Sequence, residues 1–480
     1  MANEKTPPDD VSRRQFVGTV AATAAGLTIV PRHVLGAGFQ APSDKVNVAV
    51  VGYAHGMGTS NLKNVVKTDN IVALCDVDES TAAKEARVRS KTTPADFPKP
   101  PAEYKDYRVM LEKQKDIDAV VVATPDHMHA LVAMQAMALG KHVYVQKPMT
   151  RTIAEARALT EAARKYKVVT QMGNQGHSEE GLRLMQEWFE AGAIGEVREV
   201  HAWTNRPIWP QGMPRPTEEQ PVPDGMDWDL WLGAAPPRPF HKTYHPSFWR
   251  AWQDFGAGAM GDMACHVMDA ACTILKLGTP SSIIATEAFN VIQVPGATGW
   301  QASKRVDYSD SYPPASVIHV SFPARGEMPP VKLHWYDGGL LPERPDELEP
   351  ERRLPESGTI FVGSKGKMWC ETYSESPRLI PESAMQAFTD RPARTLPRVP
   401  GGRDGHEKNW LDAIRQKTQA VSSFDYAGPF TEAVLLGNVA LRFPGQRLMW
   451  DGPNMKVTNV AEANQFVQHN YRSGWTLPTT

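Results

Sequence analysis

The chain has 480 residues, 52 basic and 54 acidic side chains, and a formal net charge of −2. That length allows a large core and more than one domain, and the balanced charge removes the electrostatic case for a nucleic-acid or anionic-membrane partner. The four cysteines include no C-x-x-C pair, so neither a zinc ribbon nor a redox motif is indicated, and disulfides are not demanded.

In chain order, Ser12-Arg13-Arg14-Gln15-Phe16-Val17 introduces a mildly apolar run that ends at Val30, before Pro31 and Arg32. The run is shorter than the ~20 residues a membrane-spanning helix needs. Two arginines ahead of a weakly apolar stretch have the pattern of a twin-arginine export signal, and the competing reading is a disordered basic tail. The expected signal covers residues 1–37, with Ala37 and Ala41 as cleavage candidates. It predicts the twin-arginine translocation machinery as a partner, a periplasmic or otherwise exported location, and no stable membrane span.

Val46 to Val51 has the pattern of a buried strand and runs into Gly52-Tyr53-Ala54-His55-Gly56-Met57-Gly58, then a helix from about Thr59 to Val66. The next strand, Ile71 to Cys75, ends at Asp76. Strand, glycine turn, helix, strand and an acidic residue about 20 residues on is the order of a dinucleotide-binding unit. Gly52, Gly56 and Gly58 depart from G-x-G-x-x-G by one extra residue, and Ala54 stands at the middle glycine. Such glycines let backbone N–H groups approach a pyrophosphate. Asp76 would accept the adenosine ribose hydroxyls, which favours NAD over NADP because a 2′-phosphate would be repelled. Free nicotinamide cofactor is scarce outside the cytoplasm, so an exported enzyme of this kind is expected to hold its cofactor tightly and regenerate it in place.

Asp118 to Ala123 (DAVVVA) reads as a strand buried on both faces. Pro125 and Asp126 open a helix that ends near Gly140, and the following strand, His142 to Gln146, delivers Lys147 at its C-terminal end before Pro148. That edge of an open parallel sheet is where ligands bind. A lysine there is placed for chemistry.

From Asn205 to Phe255 the chain is rich in proline and carries Trp209, Trp228, Trp231, Trp249 and Trp252. Aromatic faces stack on sugar C–H surfaces, so this segment reads as a carbohydrate-facing lid, with Trp249 and Arg250 as substrate-side residues. A rigid cover over the sheet or a subunit contact is a reading of nearly equal weight. From Gly256 to Lys276 a helix is expected, with Met260, Met263, Ala264, Val267, Ala271 and Ile274 on one side and Asp262, His266 and Asp269 on the other. A histidine with a carboxylate one turn away suits a base that takes a hydroxyl proton while hydride leaves the same carbon. The bland alternative is a polar stripe facing water. His127-x-His129 and the pair His241 and His245 have ligand-like spacing, but no cysteine or carboxylate nearby in sequence completes a tetrahedral set, so no metal is expected.

Taken together, the glycine turn, CDVD around Asp76, ATPDHMH, GKHVYVQKP, MGNQGHS (Met172 to Ser178) and GAGAMGDMACHVMD (Gly256 to Asp269) resemble the Gfo/Idh/MocA oxidoreductases, the family of glucose–fructose oxidoreductase and inositol 2-dehydrogenase. The resemblance implies a Rossmann dinucleotide-binding domain followed by an α/β domain with an open, mainly antiparallel sheet, and a substrate cleft between them. Lys147 matches the family's catalytic lysine, and Asp262 and His266 match its D-x-x-x-H pair. Thr124, Pro125 and His129 match the loop beside the cofactor. Gln146 stands where the family usually has a glutamate that would help hold the lysine charged. The expected domains are 44–172, 173–450, and a tail over 451–480 that packs back on the fold. The piece from Phe424 to Trp475 looks like a subgroup of exported members.

The expected function is NAD-dependent hydride transfer from a secondary hydroxyl of a sugar, polyol or glycoside. In that reading Asp262 orients His266, His266 takes the proton and Lys147 polarises the oxygen. Two alternatives stay open: glycoside cleavage through a transient keto sugar, and a non-catalytic sugar-binding protein. The resemblance also leaves room for a homo-oligomer.

Overall fold

The computed structural model describes residues 44–478. The twin-arginine segment, Ala37 and Ala41 therefore lie outside the described residues. No described helix is long and apolar enough to cross a membrane.

The first sheet follows directly from the short apolar runs. Strands β1 (Asn47–Val51), β2 (Asn70–Cys75), β3 (Ala102–Tyr104), β4 (Ala119–Val122), β5 (His142–Val145) and β6 (Thr170–Met172) form six parallel strands in the order β3-β2-β1-β4-β5-β6. All four residues of β4 are buried, as required of a central strand covered on both faces. The crossovers are helices α1 (Met57–Val65), α2 (Thr81–Ser90), α3 (Tyr107–Lys113), α4 (Asp126–Ala138) and α5 (Ile153–Tyr166). Parallel strands need such crossovers, and the strand order reverses between β1 and β4, which opens a crevice at their C-terminal ends.

The second sheet is built from β7 (Val197–Trp203), β8 (Ser282–Glu287), β11 (Ser316–Phe322), β12 (Val331–Tyr336), β13 (Gly358–Gly363), β14 (Lys367–Cys370), β15 (Arg378–Ile380), β16 (Leu448–Asp451) and β17 (Lys456–Val457); strands β9 (Val291–Gln293) and β10 (Ser303–Arg305) pair apart from it as a hairpin. It has nine strands in the order β15-β14-β13-β7-β12-β11-β8-β16-β17. Only β7 and β12 run parallel; every other neighbouring pair is antiparallel. Residues of β11 alternate between buried and partly exposed, the mark of a sheet with one face on the core. Helices α6 (Glu180–Glu190) and α7 (Trp228–Leu232) flank β7 in the chain, and α10 (Glu382–Ala387) follows β15.

Both sheets belong to one compact unit that starts at Val46, and the C-terminal part of the chain reaches the first sheet. Helix α11 (His406–Gln416) contributes Trp410 and Leu411 to the cluster formed by Val48, Val50, Val121 and Tyr144. The first sheet ends at Met172, and residues far beyond it, in α11, pack against that sheet. The four cysteines are buried and unpaired.

The long helix expected over 256–276 is two helices, α8 (Gly258–Val267) and α9 (Asp269–Ile274), which meet at Met268. Helix α12 (Phe424–Ala440) packs beside α5 and α8.

Candidate active site

A cleft enclosing about 1060 Å³, counting its open mouth, runs along the C-terminal edge of the first sheet. Its floor is the turn after β1. Gly52 has φ +83°, and a Cβ there would lie 2.7 Å from the backbone of Ala123 and Thr124. Gly56 caps α1 without a side-chain partner, and the space where its Cβ would project is open. The first N–H groups of α1 are thus presented to the cleft, which is the arrangement that binds a pyrophosphate. Gly58 does not line the cleft; a Cβ there would meet the Gly52 carbonyl oxygen at 1.9 Å, so this glycine lets the helix sit against the strand.

Asp76 lines the same cleft. Its two oxygens accept the backbone N–H groups of Ala54 (2.8 Å) and Asp78 (3.0 Å), and burial pushes its carboxyl above the usual range. Each oxygen keeps a lone pair for a ribose hydroxyl. Thr124, Pro125, His129 and Gln146 also line the cleft. The Thr124 hydroxyl is buried with no partner among the described residues, an orphan that a bound nicotinamide ribose or carboxamide would satisfy. His129 is tied between the carbonyls of Thr124 (2.8 Å) and Pro148 (2.9 Å) and so braces the loop from inside. The Gln146 amide donates to Asn61 (2.8 Å), which in turn donates to Glu407 (2.6 Å), a carboxyl that burial pushes upward. These features fit an NAD-type dinucleotide.

Lys147 sits at the far end of the cleft from Asp76. Its ammonium donates to the Asp262 carboxylate and to the Asp262 backbone carbonyl, both at 2.8 Å. The carboxylate missing at position 146 is therefore supplied by α8, from 115 residues away. Arg250 also reaches Asp262 (3.2 Å) and lies over the Trp249 ring at 4.2 Å; both residues line the cleft. Burial acts to raise the Asp262 pKa, but the charges of Lys147 and Arg250 outweigh it and hold the carboxyl well below its ordinary range.

The expectation that Asp262 orients His266 is corrected here. No hydrogen bond joins them among the described residues: Asp262 is taken by two cations, and His266 Nδ1 is buried without a partner. Burial, and after it the Lys147 charge, hold the His266 pKa well below the ordinary imidazole value, so the ring is neutral at physiological pH. It is packed edge-on against Tyr373, with ring centroids 4.7 Å apart, and the Arg403 guanidinium lies 4.8 Å from the same tyrosine ring. Asp262 and His266 are not among the residues that line the large cleft.

The polar stripe does not face water. Asp269 is 1% exposed and is held by His177 (3.0 Å), Asn174 (3.2 Å) and the Tyr426 hydroxyl. These partners, with Tyr373 and Arg403, are absent from the sequence-derived set. MGNQGHS marks Asn174 and His177 as a motif, but nothing local links them to an aspartate 95 and 92 positions away.

The tryptophan-rich segment packs largely on itself: Trp231, Trp249 and Trp252 share a buried cluster with Phe240, Tyr244 and Phe255. Within it, His127 is buried against the carbonyls of Trp231 (2.9 Å) and Phe255 (3.3 Å). His241 turns to Thr243, whereas His245 meets Asp78 at 2.7 Å, and His55 meets the same carboxylate oxygen at 3.0 Å. These three donor groups converge from distant parts of the chain, as a divalent-cation set would. Asp78 stands within hydrogen-bonding distance of both histidines. They clasp the substrate-side segment to the glycine turn.

Two family models match the chain. One, described as an oxidoreductase family NAD-binding Rossmann fold, covers residues 46–174; the other, described as the C-terminal alpha/beta domain of the same oxidoreductase family, covers residues 199–311. A levoglucosan dehydrogenase of Pseudarthrobacter phenanthrenivorans is 30% identical over 166 residues, 35% of this chain and 35% of that protein. A glycosyl hydrolase family 109 protein of Solibacter usitatus is 30% identical over 200 residues, 39% of this chain and 44% of that protein. The chain thus spans less than half the length of these curated relatives. The solved WlbA dehydrogenase of Bordetella pertussis, in complex with NADH and UDP-GlcNAcA, superposes with a TM-score of 0.54 at 16% identity, covering 85% of this chain and 99% of that one. At that identity the likeness is one of fold.

Proposed function

The chain belongs to the Gfo/Idh/MocA oxidoreductase family, with an NAD-binding Rossmann half, and from that premise we propose that it oxidises a secondary hydroxyl of a sugar, polyol or glycoside with a tightly held NAD. The observation that supports this reading is the placement of Lys147: its ammonium stands at the opposite end of the cleft from Asp76, held by Asp262, with an unprotonated His266 one helical turn further along α8. NAD, when bound, supplies the hydride acceptor. Lys147 binds the substrate oxygen and stabilises negative charge on it. His266 takes the hydroxyl proton, a task its unpartnered, neutral ring suits. Asp262 acts on Lys147 and Arg250, as a positioning group, and excludes neither from the substrate because each has further donors. Trp249 and Arg250 offer an aromatic face and a fork of donors to a carbohydrate.

Lys147→Ala and His266→Ala are expected to lower turnover by about 10²–10⁴-fold while NAD remains bound. The check is steady-state turnover beside a fluorescence titration with NADH, and wild-type turnover in both variants removes the assignment.

The similarity to glycosyl hydrolase family 109 proteins supports a second reading, in which transient oxidation acidifies the neighbouring C–H, elimination releases the aglycone, water adds to the unsaturated ketone, and hydride returns. Cleavage of an aryl glycoside with no net change in cofactor selects it. Export through the twin-arginine route, proposed from Ser12 to Val30, gives a physical reason for a cofactor that is recycled without leaving.

A further inference from the structure

The cleft has one wall that the dinucleotide motif does not provide. Beyond Asp76, whose backbone N–H is bound by the Tyr104 carbonyl (3.0 Å), the lining continues through Lys105, Asp106 and Tyr107 and is then closed by Trp475. Trp475 comes from a C-terminal segment more than 350 positions away, yet it is only 8% exposed. Its ring lies 6.5 Å from Tyr107, tilted by 31°, and the Arg108 guanidinium covers it at 4.3 Å. Arg108 is itself locked to Asp106 by three hydrogen bonds.

The segment that brings Trp475 is anchored. The Arg472 backbone N–H donates to the Ala234 carbonyl (3.0 Å), and its guanidinium donates to the carbonyls of Gly233 (2.9 Å) and Asp229 (3.0 Å). The Tyr471 hydroxyl donates to Glu155 (2.7 Å). Trp475 then turns back, its N–H on the Arg472 carbonyl (3.0 Å). The anchor thus joins the tail to both the tryptophan-rich segment and helix α5.

Geometry assigns the two ends of the cleft. With Lys147 at the nicotinamide end and Asp76 at the adenosine ribose, the aromatic pair beyond Asp76 faces the adenine. Resting on the NAD reading above, we propose that Trp475 is a cofactor-binding residue, which with Tyr107 walls the adenine end of the cleft and slows release of the dinucleotide. An adenine would pack on the part of the indole that Arg108 leaves open to the cleft, and a wall held in place by a fastened tail hinders release of the base.

The experiment is stopped-flow release of NADH and, separately, of reduced nicotinamide mononucleotide, which lacks the adenosine half, from the full-length protein. Trp475→Ala is expected to speed NADH release by roughly ten-fold or more, Trp475→Phe by less than about three-fold, and neither should change release of the mononucleotide. Arg472→Ala, which removes the guanidinium anchor of the tail at a residue that does not line the cleft, is expected to speed NADH release in the same direction and stands in if Trp475→Ala does not fold. NADH release at the wild-type rate from the alanine variant overturns the proposal while leaving the NAD reading intact. So does equal acceleration of both ligands, which marks a general loosening. A wild-type protein that holds no NADH at all overturns both.

Discussion

At the scale of single residues, the site is organised by burial and neighbouring charge. Asp262 is ionised because two cations face it, and His266 is neutral because it is buried beside one of them. Asp126 is the counterpart on the cofactor side. It is 4% exposed at the N-terminus of α4, lines the cleft, and is pushed up by burial to about 7, against the opposing charge of Arg250. A carboxyl raised from 3.8 to about 7 binds its proton more tightly folded than unfolded. Its contribution to stability is complete below its unfolded pKa and is lost as pH rises through the folded one. An asparagine side chain has no such proton to lose. Asp126→Asn should therefore gain on wild type as pH rises from 5 to 7, at up to about 1.4 kcal/mol per pH unit, and the gap should level off above 7. Urea denaturation of the cofactor-free proteins across that range checks this, and parallel pH curves would show that Asp126 ionises normally.

At the scale of elements, the cleft depends on how closely α1 can approach β1. Gly58 allows that approach, since a Cβ would meet the Gly52 carbonyl at 1.9 Å and has no flexible side chain to push aside. Gly58→Ala should therefore cost about 3 kcal/mol or more by forcing the helix off the strand, and should weaken NADH binding with it. Thermal denaturation and a fluorescence titration give the two readouts, and an alanine variant that melts and binds like wild type contradicts the packing described here. The same elements show what the sequence could disclose. The runs at Val46 to Val51 and Asp118 to Ala123, the glycine turn and the lysine at the end of β5 are local patterns, and they locate the sheet and Lys147. The partner of Lys147 is 115 residues away, so local spacing could only pair Asp262 with the nearer His266. The apolar and polar sides of Gly256 to Lys276 were legible, but periodicity cannot say that the polar side meets His177, Asn174 and Tyr426 in place of water.

At the scale of the whole molecule, the C-terminal third closes back on the first sheet. Helix α11 covers it with Trp410, Glu407 reaches the polar chain behind Gln146, and the final segment walls the cleft with Trp475. The clasp of His55, Asp78 and His245 fastens the tryptophan-rich segment to the glycine turn from the opposite side. None of these long-range closures has a sequence signature, because each joins parts of the chain more than a hundred positions apart. His245 and Trp475 line the cleft from outside the dinucleotide motif, so a bound dinucleotide would be enclosed in part by them. The most direct measurement of the central claim is the absorbance of protein-bound nicotinamide when the purified full-length protein is mixed with a panel of sugars, polyols and glycosides. The reduced-nicotinamide band should appear with at least one of them in the wild type, persistent for net oxidation or transient for glycoside cleavage, and should be absent in Lys147→Ala. Bound nicotinamide that never changes redox state with any member of the panel, or a band that forms equally well without Lys147, would contradict it.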